Sequence, residues 1–76
     1  MWEKGEKYLE KTFEFNSFIE AISFINQIVP IAESMKHHPD ILIHSYSKVK
    51  IMLFTHDKNK ISDLDYSMAQ KIDQIL

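Results

Sequence analysis

A segment with helical periodicity, which starts at a serine and stops at a proline, divides this chain into two parts. Ser17 and Glu20 have the S-x-x-E spacing of a capping box, in which two side chains satisfy free amides at a helix start. Pro39 ends the pattern, because proline disfavours helix in the residue before it. Between them, apolar residues recur every three or four positions, as in a helix with one face against a core: Phe18, Ile22, Ile25, Val29, Ala32 and Met35. The spacing predicts a helix from Phe18 to about Lys36, with a kink near Pro30, which removes a backbone donor.

Alternating apolar and polar residues predict strands on both sides of this helix. Before it, the aromatic-rich stretch Tyr8 to Phe15 places Leu9 and Phe13 on one face. After it, Ile41 to Tyr46 and Ser47 to His56 predict two strands joined by a short turn, although the turn lacks an Asn-Gly or Asp-Gly pair.

A second helix is predicted near the end of the chain, from Ser62 to Ile75. Ser62 and Asp65 form another capping-box-like start. Its apolar stripe consists of Leu64, Met68, Ile72 and Ile75.

These elements predict one α+β domain over residues 1–76, with the order β-β-α-β-β-α. Successive hairpins indicate a four-stranded antiparallel sheet with both helices packed on one face. The core of so short a chain is limited, and no cysteine is present to form a stabilising disulfide. We therefore expect a homodimer or homotetramer, for which an open sheet edge offers a pairing surface.

Composition argues against several classes of protein. The formal net charge is -2 and the lysines are interleaved with acids, which disfavours a nucleic-acid partner. No apolar run reaches the roughly 18 residues of a membrane span, and the amino terminus lacks the pattern of a signal peptide. The absence of cysteine fits a reducing interior, so the expected location is the cytoplasm, with no membrane partner.

Two adjacent histidines, His37 and His38, lie where the predicted helix meets Pro39. Histidine gives and takes protons near neutral pH because its unperturbed pKa is about 6.5. His56 ends the fourth predicted strand, and a helix end and a strand end at the same edge of a layer lie close together. The pattern favours a proton-transfer site formed by these three histidines, with surface or structural histidines as the alternative. His44 is the weaker candidate, since it lies within a strand.

A metal site is the competing functional interpretation. Adjacent histidines cannot reproduce the i, i+4 pair of H-E-x-x-H, and no H-x-H pair or cysteine set completes a first shell. We therefore predict no metal. Two carboxylates also have structural explanations: Glu33 as a solvated helix residue, and Asp65 as the capping carboxylate of the last helix.

At these residues the chain resembles the pterin-4a-carbinolamine dehydratase family. The family's pattern is an acidic or similar residue before His-His-Pro, then an aromatic residue, a further histidine, and an aspartate at the start of the last helix. The resemblance extends through Trp2 and Phe13-Glu14-Phe15 and covers nearly the whole chain. The matching parts follow in order: Glu33, His37-His38-Pro39, Tyr46, Thr55-His56 and Asp65.

Some positions depart from the family pattern. The family usually opens with another helix before the position of Trp2, so this chain resembles a short form without it. Ile41 stands where many members have an aromatic residue, and Lys60 where many have a glycine. These differences concern the pocket walls and the loop shape rather than the proton-transfer residues.

The resemblance implies an enzyme that removes water from a 4a-hydroxy-tetrahydropterin to give quinonoid dihydropterin. It implies a small-molecule pterin as substrate, with no cofactor and no metal. It assigns proton transfer and pterin binding to His37, His38 and His56, and support or substrate binding to Glu33, Pro39 and Asp65.

The family also leaves other roles open. Some members are non-catalytic partners of a homeodomain transcription factor, whose dimer they stabilise. A short form resembles a microbial enzyme, whose pterin belongs either to hydroxylase recycling or to molybdenum-cofactor metabolism. A catalytically silent relative is the third possibility, against which the intact motif argues.

Overall fold

The computed structural model describes residues 1–76, which form one antiparallel sheet and two α-helices. The order is β-β-α-β-β-α, which confirms the prediction, with a short 3₁₀ turn before the last helix. The bounds are β1 Glu3–Lys4, β2 Leu9–Glu14, α1 Phe18–Met35, β3 Asp40–His44, β4 Lys48–Leu53, the 3₁₀ turn His56–Lys58 and α2 Asp63–Asp73. Neither α-helix combines the length and the apolar character needed to cross a bilayer.

The sheet has the strand order β1-β2-β4-β3, so β4 is paired on both sides. Side chains alternate between the two faces of a strand. On β4 the apolar residues Val49, Ile51 and Leu53 are fully buried, while the intervening Lys50 is part exposed and pairs with Glu10 of β2 at 3.5 Å. One face of the sheet is therefore the core, covered by the helices as predicted, and the other is polar.

Burial on α1 is displaced by one position from the prediction along most of the helix, although Ala32 is buried as predicted. Phe18 and Val29, expected in the core, are 53% and 52% exposed. The helix has two neighbouring apolar stripes, and Phe24 decides between them because its ring packs against Phe13 at 4.8 Å and Phe15 at 5.0 Å. The buried residues are Ala21, Phe24, Ile28 and Ala32.

The start of α1 agrees with the capping prediction in part. Ser17 Oγ accepts a hydrogen bond from the Glu20 amide at 3.1 Å. The Glu20 carboxylate accepts from the amide of Asn16 rather than from that of Ser17. The helix runs unbroken through Pro30, which lies on its exposed side.

On α2, Met68 and Ile72 are buried as predicted. Leu64, also predicted to be apolar core, is 43% exposed, and the neighbouring Asp65 is buried instead. The core is therefore interrupted at the start of α2 by a carboxylate, which needs hydrogen-bond donors around it.

Contacts between Trp2 and α2 bring the two ends of the chain together. The Trp2 indole Nε1 donates to both carboxylate oxygens of Asp73 at 3.1 Å. Lys11 of β2 pairs with the same carboxylate at 3.0 Å. This cluster fixes the last turn of α2 against β1 and β2.

Candidate active site

The end of α1 separates the two adjacent histidines. Lys36 adopts the left-handed conformation, with φ 51° and ψ 41°, and its amide bonds back to the Ala32 and Glu33 carbonyls. This cap turns the chain, so the two side chains point to different partners. His37 reaches α2, whereas His38 bonds to a side chain of α1.

His37 is held by a carboxylate that has no exposed surface. The distance from His37 Nε2 to Asp65 Oδ1 is 2.6 Å, and the two side chains are 10% and 0% exposed. The other carboxylate oxygen accepts from the Thr55 hydroxyl at 2.7 Å and from the Ser62 amide at 2.9 Å. Because the Thr55 hydroxyl and the Ser62 amide both donate to this carboxylate, it acts as an acceptor. We therefore assign the proton between His37 and Asp65 to Nε2.

This assignment also determines which of the two neighbouring hydroxyl groups donates to the other. Thr55 gives its only hydroxyl proton to Asp65, so Ser62 Oγ is the donor in their 2.6 Å contact. The chain of donors runs from Ser62 to Thr55 to Asp65, which His37 meets from the other side. A neutral His37 with its proton on Nε2 has Nδ1 free as an acceptor. Nδ1 makes no hydrogen bond and is not sealed off from solvent.

His38 forms a different kind of pair. Its Nε2 lies 2.6 Å from Glu33 Oε2, and the two side chains are 64% and 69% exposed. Exposed pairs of this kind add little to stability, since water competes for both groups. The contact orients the His38 ring without burying it.

The structure brings the three predicted histidines to one cleft of about 250 Å³. His56 begins the 3₁₀ turn, and its ring stands edge-on to Phe54 with 5.1 Å between ring centroids. The cleft is lined by His37, His38, His56, Thr55, Lys36, Asp57 and Leu64.

Glu33 and Pro39 lie beside this cleft in an adjoining apolar depression of about 210 Å³. His38 lines both of them. His44 lies outside, with its Nδ1 3.2 Å from the neighbouring Ser45 hydroxyl.

Asp65, which the resemblance assigned to support or substrate binding, has no surface with which to contact a ligand. Its carboxylate is fully buried and all its bonds go to protein groups, so it reaches the cleft only through His37. Asp65 was predicted to cap the start of α2, and its carboxylate does accept a hydrogen bond from the Ser62 amide there.

The sequence predicted Ser62 only as a helix cap, and it assigned no part in the site to the Thr55 hydroxyl or to Lys36. Thr55 stands next to His56 and Ser62 is the helix cap, but the bond between them depends on a fold that spans β4 and α2. No group of three or more histidine, cysteine or carboxylate side chains has an arrangement that could hold a metal ion.

Known proteins are similar to this sequence over nearly its whole length. The family described as pterin 4 alpha carbinolamine dehydratase matches residues 1–75. A Sulfurisphaera tokodaii protein with the provisional name pterin-4-alpha-carbinolamine dehydratase is 49% identical over 75 residues, which cover 99% of this chain and 80% of the relative. A Nostoc punctiforme protein with the same provisional name is 50% identical and covers 97% and 78%.

Solved structures share the fold. The transcriptional coactivator/pterin dehydratase from Brucella melitensis aligns with a TM-score of 0.90 and 33% identity, over 97% of this chain and 80% of that one. A pterin dehydratase-like protein identified as a RuBisCO assembly factor in the alpha-carboxysome has a TM-score of 0.78 over 96% and 86%, and at 22% identity it shows the fold alone. Because the family match spans residues 1–75, the chain belongs to the pterin-4a-carbinolamine dehydratase family.

Proposed function

We propose that this protein dehydrates a 4a-hydroxy-tetrahydropterin to quinonoid dihydropterin by acid–base catalysis. The observation that carries the proposal is the pairing of His37 with buried Asp65, which leaves Nδ1 without a hydrogen bond on a residue that lines the cleft with His38 and His56. Family membership supports the substrate class.

The reaction needs two proton transfers. The hydroxyl that leaves C4a must receive a proton, and the neighbouring ring nitrogen must lose one. Positioned acids and bases supply roughly 10²- to 10⁴-fold for such steps. The proposal therefore includes neither a redox cofactor nor a metal.

We assign the base to His37 because its free nitrogen is an acceptor. When Nδ1 takes a proton the ring becomes positive, and the contact with the Asp65 carboxylate stabilises that charge. His38 and His56 are the candidates for the acid that protonates the leaving oxygen. Glu33 and Pro39, beside His38, are placed to contact the rest of the pterin.

A stopped-flow dehydration assay on wild type and His38→Ala, with the carbinolamine generated in place, tests the proposal. His38 is exposed, so its removal should leave the melting temperature nearly unchanged and lower the rate at least about tenfold. His44→Ala is the matched control, because that histidine lies outside the cleft.

Two results would contradict the assignment. Equal rates for wild type and His38→Ala would remove His38 from catalysis. Chelator is present in the assay throughout, and recovery of a wild-type rate only after its omission would favour a metal site instead.

A non-catalytic binding role is the alternative, and a structural neighbour identified as an assembly factor has a role of that kind. Wild-type protein that binds the pterin without accelerating its dehydration would favour this role. Turnover of a molybdenum-cofactor pterin in preference to a hydroxylase pterin would assign the enzyme to that metabolism.

A further inference from the structure

The loop from Thr55 to Lys60 borders two depressions. Thr55 and His56 line the histidine cleft, while Asn59 and Lys60 line a second and larger depression of about 450 Å³. The proposed dehydration makes no use of this second depression, which we call the lysine depression. It is lined by Lys4, Glu6, Lys7, Phe54, Asn59, Lys60 and Ile61.

The lysine depression is positive although the chain as a whole is negative. Its lining includes three lysines and one glutamate, an excess of two positive charges, whereas the formal net charge of the protein is -2. None of the three lysines takes part in an ion pair. An adjoining depression shares Lys60 and adds Lys58 and Asp63, whose charges cancel.

The backbone beneath these lysines is fixed by hydrogen bonds. The Gly5 amide bonds to the Tyr8 carbonyl at 2.8 Å, which closes the turn that carries Lys7. Two backbone hydrogen bonds between Thr55 and Lys60, at 3.0 and 3.3 Å, join the first and last residues of the loop that carries Asn59 and Lys60. A ligand would therefore have to order the lysine side chains but not the backbone that carries them.

Aromatic rings hold one of the ammonium groups at the rim. Lys7 Nζ lies 5.3 Å from the centroid of the Tyr8 ring and 5.5 Å from that of Phe54. Both distances are within the range of a cation–π interaction. The charge of Lys7 is therefore positioned without being neutralised.

We propose that the lysine depression binds the phosphate group of a small phosphate monoester. A phosphate monoester carries nearly two negative charges at neutral pH, which matches the excess of two positive charges. Lysine ammonium groups bind phosphate as point charges. The volume lies within the usual range of small-molecule sites, and Phe54 and Ile61 offer apolar surface to the organic part of the ester.

Titration with phenyl phosphate, followed by amide chemical shifts in NMR, tests this proposal. At low ionic strength we expect saturable shifts centred on Lys4, Lys7, Asn59 and Lys60, which weaken as salt screens the exposed charges. Lys60→Gln should lower the affinity about fivefold, the effect of one charge in a solvated site. Lys71→Gln, an exposed lysine of α2 outside the depression, is the matched control and should change nothing.

Other outcomes would overturn the proposal. These are shifts that do not saturate, shifts centred on the histidine cleft, equal effects of the two lysine variants, or binding of neutral phenol as tight as that of phenyl phosphate. If Lys60→Gln loses its folded spectrum, Lys4→Gln takes its place with the same expected loss of affinity. Because the two depressions are separate, a missing dehydratase activity leaves this test unaffected.

Discussion

Asp65 is the only charged residue of the chain that is fully buried, and its neighbours explain why it is tolerated there. Three donors, from His37, Thr55 and Ser62, surround its carboxylate. A buried carboxylate without such partners is strongly destabilising. The same bonds that offset its burial also fix which nitrogen of His37 carries a proton.

We expect Asp65→Asn to lower the dehydration rate at least about tenfold, with a loss of about 1 kcal/mol in the free energy of unfolding. The oxygen of the substituted amide would accept from Thr55 and Ser62, and its NH₂ group would then donate to His37 Nε2. That moves the ring proton to Nδ1, the nitrogen proposed as base. Stopped-flow rates and urea denaturation measure the two effects.

Thr55→Val is the control for this interpretation. It removes one donor from the same carboxylate, at a cost of about 1 to 3 kcal/mol, but leaves the His37 bond to Asp65 in place. Its rate should therefore fall much less than that of Asp65→Asn. Equal loss of rate in the two variants, at equal loss of stability, would make the network merely structural.

At the scale of elements, α1 shows what sequence reasoning can and cannot establish. Its limits follow from local chemistry, because Ser17 caps its start and the chain leaves it just before the paired histidines. The buried face does not follow, because two apolar stripes lie side by side. Phe24 is selected by contacts with the rings of Phe13 and Phe15, which come from a different part of the chain.

The two stripes give a test that uses neighbouring residues. Ile28→Ala removes a fully buried side chain and should cost about 2 to 5 kcal/mol in the free energy of unfolding. Val29→Ala, at a position that the sequence pattern predicted to face the core, should cost less than about 1 kcal/mol because Val29 is half exposed. Urea denaturation compares the two variants. A larger loss of stability for Val29→Ala would instead support the buried face that the sequence pattern predicted.

Some features of the candidate site likewise follow from the local sequence, whereas others depend on contacts between residues far apart in the chain. The positions of His37 and His38 follow from the helix stop at Pro39, and the strand pattern placed His56 near the end of β4, so their shared cleft could be anticipated. The strand itself is shorter than predicted: it ends at Leu53, and His56 begins the 3₁₀ turn that follows. The bond from His37 to Asp65 joins residues 28 positions apart, and the direction of its proton depends on Thr55 and Ser62 as well. Such a network requires the packed arrangement of α1, β4 and α2.

At the scale of the whole molecule, we expect a homodimer or homotetramer. Residues of the outer stripe of α1 remain open to solvent, notably Phe18 and Val29, and a domain of this size has a small core. Light scattering at micromolar concentration should give a multiple of the single-chain mass.

A pair of variants on α1 locates the contact. Val29→Asp should lower the measured mass, because a charge in an apolar interface is costly, whereas Gln27→Asp on the exposed side of the helix should not. A stable single-chain mass for the wild type would contradict the expected assembly.

The contact between Trp2 and Asp73 makes Trp2 an intrinsic fluorescent probe of folding. Trp2 is the only tryptophan, and its ring lies edge-on to Phe13 with 6.0 Å between centroids. Its indole reaches a carboxylate 71 positions further along the chain. Contacts so distant in sequence carry the largest loop-closure entropy and tend to form late. The fluorescence of one chromophore in refolding therefore reports when the first and last elements meet, with no label added.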